Sequence, residues 1–207
     1  MKKLIETYKV IADHVPATIK IWDITEETVP IYEVIMPEFD IGTKALLGKV
    51  TEDLARAIPV SVEETTDPKK MEELRDKFFE IAKKEILKRF PRMREEDANV
   101  ISGVLLHSMY GLGDVELILA DVLLEEVVIN NSLTPIAVYH KKHGWLKTSK
   151  SLTTEEDIYN FAAQIGRKAG RQISLLNPIM DAHLITGDRV AATLFPISTQ
   201  GNTITIR

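Results

Sequence analysis

The chain has 207 residues, enough for one large domain or two small ones, and its 44% hydrophobic and 28% charged residues place it among ordinary globular proteins rather than disordered or fibrous ones. A net charge of −5 argues against a dedicated nucleic-acid binder, which would carry a basic face, although one local arginine cluster suffices for an anionic ligand. With no cysteine, disulfide frameworks and thiolate metal sites are excluded, and no apolar run approaches the roughly 20 residues of a membrane span.

The opening "MKKLIETYKVIADHVP" has two lysines but no uninterrupted apolar stretch, so it does not read as a signal peptide, and the chain reads as cytosolic. Residues 18–37 give two β-rich runs separated by "TEET" and Pro30, with Ile19 and Ile21 alternating and Ile31, Val34 and Met36 doing so more weakly. This predicts a hairpin or strand pair. In "FDIGTKALLGKVTEDLARAIP", Leu46, Leu47, Val50, Leu54 and Ile58 follow a 3.6-residue period until Pro59 stops it. Asp67 as N-cap and Pro68 at the first helical position start the next helix, whose stripe is Met71, Leu74, Phe78, Ile81 and Ile86 and which ends near Phe90-Pro91. A further helix runs from about Glu95 to Tyr110, with Val100, Ile101, Val104, Leu105 and Ser108 predicted inward. "YGLGD" (Tyr110 to Asp114) breaks it, and the domain boundary is placed there, giving domains 1–112 and 113–207.

After the boundary a short helix, "VELILAD", leads to a strand, "EEVVIN"; "IAVYH" and "WLKTS" then pair as a hairpin through "KKHG". Thr153 and Glu156 have capping-box spacing at the start of a helix striped by Ile158, Phe161, Ala162, Ile165 and Ala169, with Gly170 placed to end it. Strands are predicted around Ile179–Ile185, Arg189–Phe195 and Asn202–Arg207. The fold class is α+β: an N-terminal α/β domain followed by a small antiparallel sheet with helices on one face.

Several stretches have chemistry to offer. "GTKALLGKV" (Gly42 to Val50) resembles a phosphate-binding loop but has five residues before Gly48-Lys49, and Val50 stands where Ser or Thr would hold Mg²⁺; its helical stripe explains it instead. His140 and His143 have metal-compatible spacing but sit at a hairpin turn with no carboxylate nearby in sequence, which favours turn residues over ligands, and His14, His107 and His183 are isolated. No metal site is expected. Glu125 and Glu126 would point to opposite faces of a strand. Arg167 and Arg171, with Lys168, lie at a helix C-terminus; complementing the helix dipole explains them, and so does contact with a phosphate.

Arg189 and Arg207 stand apart. In "RVAATLF" Val190, Ala192 and Leu194 share one face, leaving Arg189, Ala191 and Thr193 on the other; in "TITIR" Ile204 and Ile206 oppose Thr203, Thr205 and Arg207. If the two strands pair across "PISTQGN", both arginines fall on the face away from the core. That pattern fits a solvated outer face as well as a binding platform.

From Tyr110 onward, "YGLGDVELILADVLLEEVVIN", "PIAVYHKKHGWLKT" and "GRQISLLNPIMDAHLITGDRVAATLFPISTQGNTITIR" resemble the segment preceding the motor domain of secretion ATPases, the superfamily of type II secretion, type IV pilus, conjugation and archaellum motors. "VYH" and "NPIMDAHL" favour its archaeal branch. "LITGDR" departs from the commoner L-P-D-G-S-R but keeps the glycine and arginine, and residues 1–109 match only loosely, as the variable N-terminal domain of such proteins. The resemblance implies a PAS-like second domain. It also implies that nucleotide lies between this domain and a following motor domain, with Arg189 and Arg207 reaching its terminal phosphates as catalytic and nucleotide-binding groups. Arg167 and Arg171 are further candidates for nucleotide contact.

The chain stops where such proteins continue into the nucleotide-binding domain, and no Walker A motif is present. The resemblance therefore implies an ATPase only as part of a longer protein, with ATP and Mg²⁺ as its cofactors and none bound tightly by this fragment, which should be inactive alone. It implies a homo-hexamer, a C-terminal motor domain and a membrane platform protein as partners, no nucleic acid, and a cytoplasmic location peripheral to the inner face of the cell membrane. Two other readings stand beside it: a free-standing scaffold or binding module, and a degenerate homologue serving as a structural ring partner.

Overall fold

The computed structural model describes residues 1–57, 68–184 and 187–207. In chain order the elements are β1 (Lys2–Ala12), β2 (Val15–Ile24), β3 (Ile31–Ile35), α1 (Ile41–Ala57), α2 (Pro68–Arg89), α3 (Glu95–Met109), α4 (Val115–Leu119), β4 (Leu124–Ile129), β5 (Ala137–His140), β6 (Gly144–Thr148), α5 (Glu155–Lys168), β7 (Ile179–His183), β8 (Arg189–Thr193) and β9 (Thr203–Ile206). Ile58, Pro59, Asp67 and Ile185, which carried helix and strand boundaries in the sequence, lie outside the described residues, as do the side chains of Leu46 and Met71. Two compact units result, one of residues 1–8, 18–35 and 121–207, the other of residues 9–17 and 36–120. The division expected between residues 112 and 113 falls inside the second.

The protein is α+β, with one mixed, mostly antiparallel sheet in the order β1-β2-β3-β6-β5-β4-β9-β8-β7. The expected small C-terminal sheet is therefore larger than its own strands, because β3 lies parallel to β6 with Ile31 beside Lys147 and Tyr32 beside Thr148. Backbone bonds from Lys147 N–H to the Pro30 carbonyl (3.1 Å) and from Ser149 N–H to the Tyr32 carbonyl (3.0 Å) close that seam. A β6 edge that would otherwise stay unpaired is thus covered.

Alternation fixes which face is core. Ile19 and Ile21 of β2, Val138 of β5, Val190 of β8 and Ile204 of β9 are fully buried, whereas their chain neighbours point the other way. Helix α5 covers the core face with Ile158, Phe161, Ala162 and Ile165. Its capping box is Thr154 with Asp157, one residue beyond the Thr153–Glu156 pair expected. Gly170, at φ 63°, ends it as expected.

The second unit is helical. Leu74, Phe78, Ala82 and Ile86 of α2, four apart, form one buried ridge against Val50 and Leu54 of α1 and Ala98, Ile101 and Leu105 of α3. Ser108, expected inward, is exposed, and Leu106 and His107 are buried in its stead. Leu106 joins the helical core, and His107 faces the tip of the β1–β2 hairpin, which belongs to this unit. Asp13 and His14 both have positive φ (45° and 66°), as a two-residue hairpin turn requires. The Asp13 carboxylate accepts from Arg75 Nη2 (2.8 Å) and His107 Nε2 (2.9 Å). A Cβ at Gly103 would stand 2.0 Å from the Asp13 carbonyl oxygen, so only glycine lets α3 approach the turn.

Candidate functional site

Strands β8 and β9 bring the two arginines together. Arg189 N–H donates to the Arg207 carbonyl and Arg207 N–H to the Arg189 carbonyl, both at 2.9 Å. The residues are thus a directly opposed, doubly hydrogen-bonded pair, with Cα atoms roughly 5.5 Å apart and side chains on one face. The register continues through Val190↔Ile206 to Thr193↔Thr203. Val190, Ala192, Ile204 and Ile206 are buried on the other face, while the arginine side chains are 60% and 66% exposed.

Each guanidinium has a carboxylate outside it. Arg189 Nε and Nη2 fork onto Asp181 Oδ1 (3.0 Å) and Oδ2 (2.7 Å), and Arg207 Nη2 donates to Glu126 Oε1 at 3.3 Å. The fork holds the Asp181 carboxyl below its ordinary range and raises the guanidinium of Arg189. In register across β7, β8 and β9 the row reads His183, Arg189 and Arg207; Asp181, two residues before His183 and opposite Ala191, reaches Arg189 diagonally, and Glu126 of β4 reaches Arg207 from the other side. Two adjacent cations bracketed by anions leave donor capacity between them that an incoming anion can use.

Sequence reasoning passed over Asp181 and, though it named Glu126, gave it no place beside the arginines. Asp181 was discoverable, since in "IMDAH" it alternates with the buried Met180 and Ala182. The place of Glu126 was not, because a register shift between Leu124 and Glu126 decides where its side chain goes. Arg167 and Arg171 are not part of the row. They sit at the C-terminal end of α5, on the core side of the sheet, where Gly166 lies against Met180.

A second polar cluster lies under β1, β3, β5 and β6. Buried Asp121 accepts from the Tyr8 and Tyr32 hydroxyls at 2.6 and 2.7 Å and from Leu123 N–H at 2.9 Å. Burial and the nearby carboxylate push both phenols up. His140, 1% exposed, accepts from Lys142 and His143 N–H (3.0 and 3.3 Å) at Nδ1, so its proton stands on Nε2, which has no partner. Burial, then His143, lower its pKa. His143 Nε2 meets Glu6 at 2.5 Å, and that contact, with Lys142, lowers the Glu6 carboxyl. Both histidines serve the β5–β6 turn; among the described residues no three His, Asp or Glu side chains gather as a metal site would need.

No family model matches the chain. Three uncharacterized proteins of Methanocaldococcus jannaschii are similar to it: at 27% identity over 79% of the chain, at 38% over 46%, and at 28% over 56%. The chain spans 62%, 13% and 21% of their respective lengths. The VirB11 ATPase of the Brucella suis type IV secretion system, solved with sulphate, overlaps 43% of this chain and 27% of its own at 21% identity and a TM-score of 0.36. An overlap that partial carries no argument about fold or chemistry. No helix among the described residues is long and apolar enough to cross a membrane.

Proposed function

We propose that this chain is the N-terminal part of a hexameric secretion, pilus or archaellum ATPase. In this reading it closes over ATP and Mg²⁺ held by a C-terminal motor domain, and hydrolysis releases it. The resulting movement passes to a membrane platform protein from the inner face of the cell membrane. The observation that carries the reading is the opposed pair Arg189 and Arg207, two exposed guanidiniums on one side of a stiff sheet. A guanidinium fork binds phosphate oxygens bidentately and stabilises charge that shifts in phosphoryl transfer. Nucleotide phosphate then takes the place of Asp181 and Glu126, and coupling follows from exchanging internal carboxylates for a ligand held elsewhere.

In the complete protein, Arg189→Ala and Arg207→Ala should each lower ATP turnover about 10-fold or more without unfolding it, and Arg→Lys should recover little. Unchanged turnover in folded variants removes the assigned role. A second reading, a binding module without ATPase activity, is favoured by the carboxylate partner each arginine already holds. It predicts that the reading frame ends without a phosphate-binding loop.

A further inference from the structure

The opposite end of the same four strands has a different chemistry. The arginine row stands where β8 begins and β9 ends; where β8 ends and β9 begins, the chain displays apolar side chains on loops. Leu133 follows β4, Leu175, Leu176 and Ile179 precede and open β7, and Phe195 and Ile197 follow β8. The register Ile129↔Ile204, Thr193↔Thr203 and Ile179↔Thr193 puts them all at one end of adjacent strands. Three strand spacings make the row about 15 Å wide.

These loops are fixed. Ser174 and Asn177 exchange backbone bonds at 3.1 and 3.0 Å, clasping Leu175 and Leu176 at the tip of a two-residue turn. Leu194 N–H donates to the Pro178 carbonyl (2.7 Å), tying the Phe195 loop to that turn. Asn202 accepts from Phe195 N–H and is itself held by Glu155, which also accepts from Ser132 N–H beside Leu133. Rigid backbone thus presents Leu133 and Leu176, 91% and 92% exposed, with Leu175 at 67%.

We propose that this end of the sheet docks onto an anionic lipid bilayer surface. Side chains that stand up from turns suit insertion into a headgroup layer, whereas a partner helix is received in a groove. Beside them, the exposed Arg167 and Arg171 occupy a stretch with no carboxylate from Gly166 to Met180, in a protein whose net charge is −5. The nearby acids at the start of α5 are partly engaged: Glu155 holds Asn202 and Ser132, and Asp157 closes the capping box, leaving Glu156 facing solvent. Basic residues flanking apolar tips are what an anionic interface attracts. The proposal deepens the membrane-peripheral part of the proposed function, which it takes as its setting, and assigns no role to Arg189 or Arg207.

The test is flotation of the 207-residue chain with vesicles of phosphatidylcholine alone or with about a third phosphatidylglycerol, a composition chosen to give an anionic surface potential. The expected result is binding to the anionic vesicles that weakens with salt and falls about 10-fold in Leu175→Ser/Leu176→Ser and in Arg167→Glu/Arg171→Glu, with thermal melting unchanged. Arg189→Ala/Arg207→Ala should float like the parent, so loss of turnover and loss of membrane binding are separable. Absence of flotation overturns the proposal. So does binding indifferent to both double variants, or self-association in sedimentation that Leu175→Ser/Leu176→Ser abolishes, which would make a second copy the occupant.

Discussion

Two polar clusters in the sheet unit use the same ingredients to opposite ends. Asp121 is buried and takes two tyrosine hydroxyls and a backbone N–H; Asp181 is half exposed and takes a guanidinium fork. The first has no water to fall back on, so every contact it loses remains unsatisfied. The second exchanges its partner with solvent or ligand at little cost. Burial, more than hydrogen-bond count, separates a contact that holds the fold from one available for binding.

The sharpest way to break that contrast is Asp121→Ala. It strands two buried hydroxyls, and the expected loss is about 3 kcal/mol, read as a fall in the urea midpoint, against about 1 kcal/mol for Tyr32→Phe, which removes one donor and leaves the acceptor its other partners. Equal, small effects would mean that water reaches the cluster.

Acid probes the same region less severely. His140 is held neutral in the fold by burial and by His143, while Asp121 and Glu6 pull the other way and Lys142 adds to the lowering. Its folded pKa lies below the unfolded value, so the unfolded chain takes up the proton first, and stability declines as pH falls from about 6.5 toward the folded pKa. Protonation at Nδ1 would also set a donor against the Lys142 and His143 N–H groups. His140→Asn keeps an acceptor near Nδ1 and does not titrate, so its stability between pH 7 and 5 should be flatter than that of the parent. Glu6, lowered chiefly by His143, loses its contribution only as pH falls below about 4.5, a separate window. Parallel pH curves for the two proteins would rule out His140 as the group responsible.

Much of this architecture was legible in the sequence because alternation survives where one face is buried. Val190, Ala192, Ile204 and Ile206 announced both the β8–β9 register and the side on which Arg189 and Arg207 stand. β1 gave no such signal: Leu4 and Ile5 are adjacent and both exposed, and the strand contributes little to the core beyond Val10. It enters the sheet only through its hairpin partner β2; the long-range step is β3 lying parallel to β6, a pairing across more than a hundred residues that local pattern does not encode. The capping box slipped by one because "TTEED" offers two overlapping Thr-x-x-acid pairs. Asp121 was invisible for a deeper reason: its partners Tyr8 and Tyr32 are 113 and 89 residues away.

The smallest expected effect is the most informative about the arginine row. Asp181→Ala removes the fork from Arg189 but leaves both positions open to water, and an exposed pair gains little because solvent screens it and ordering two side chains opposes it. Thermal melting of Asp181→Ala and Arg189→Ala should therefore match the parent within error at moderate salt, even though the pair is bidentate and short. A loss comparable to that of Asp121→Ala would show that the row braces β7 against β8. Its guanidiniums would then not be free to leave their carboxylates for a phosphate, and the assignment of a nucleotide to this face would go with them.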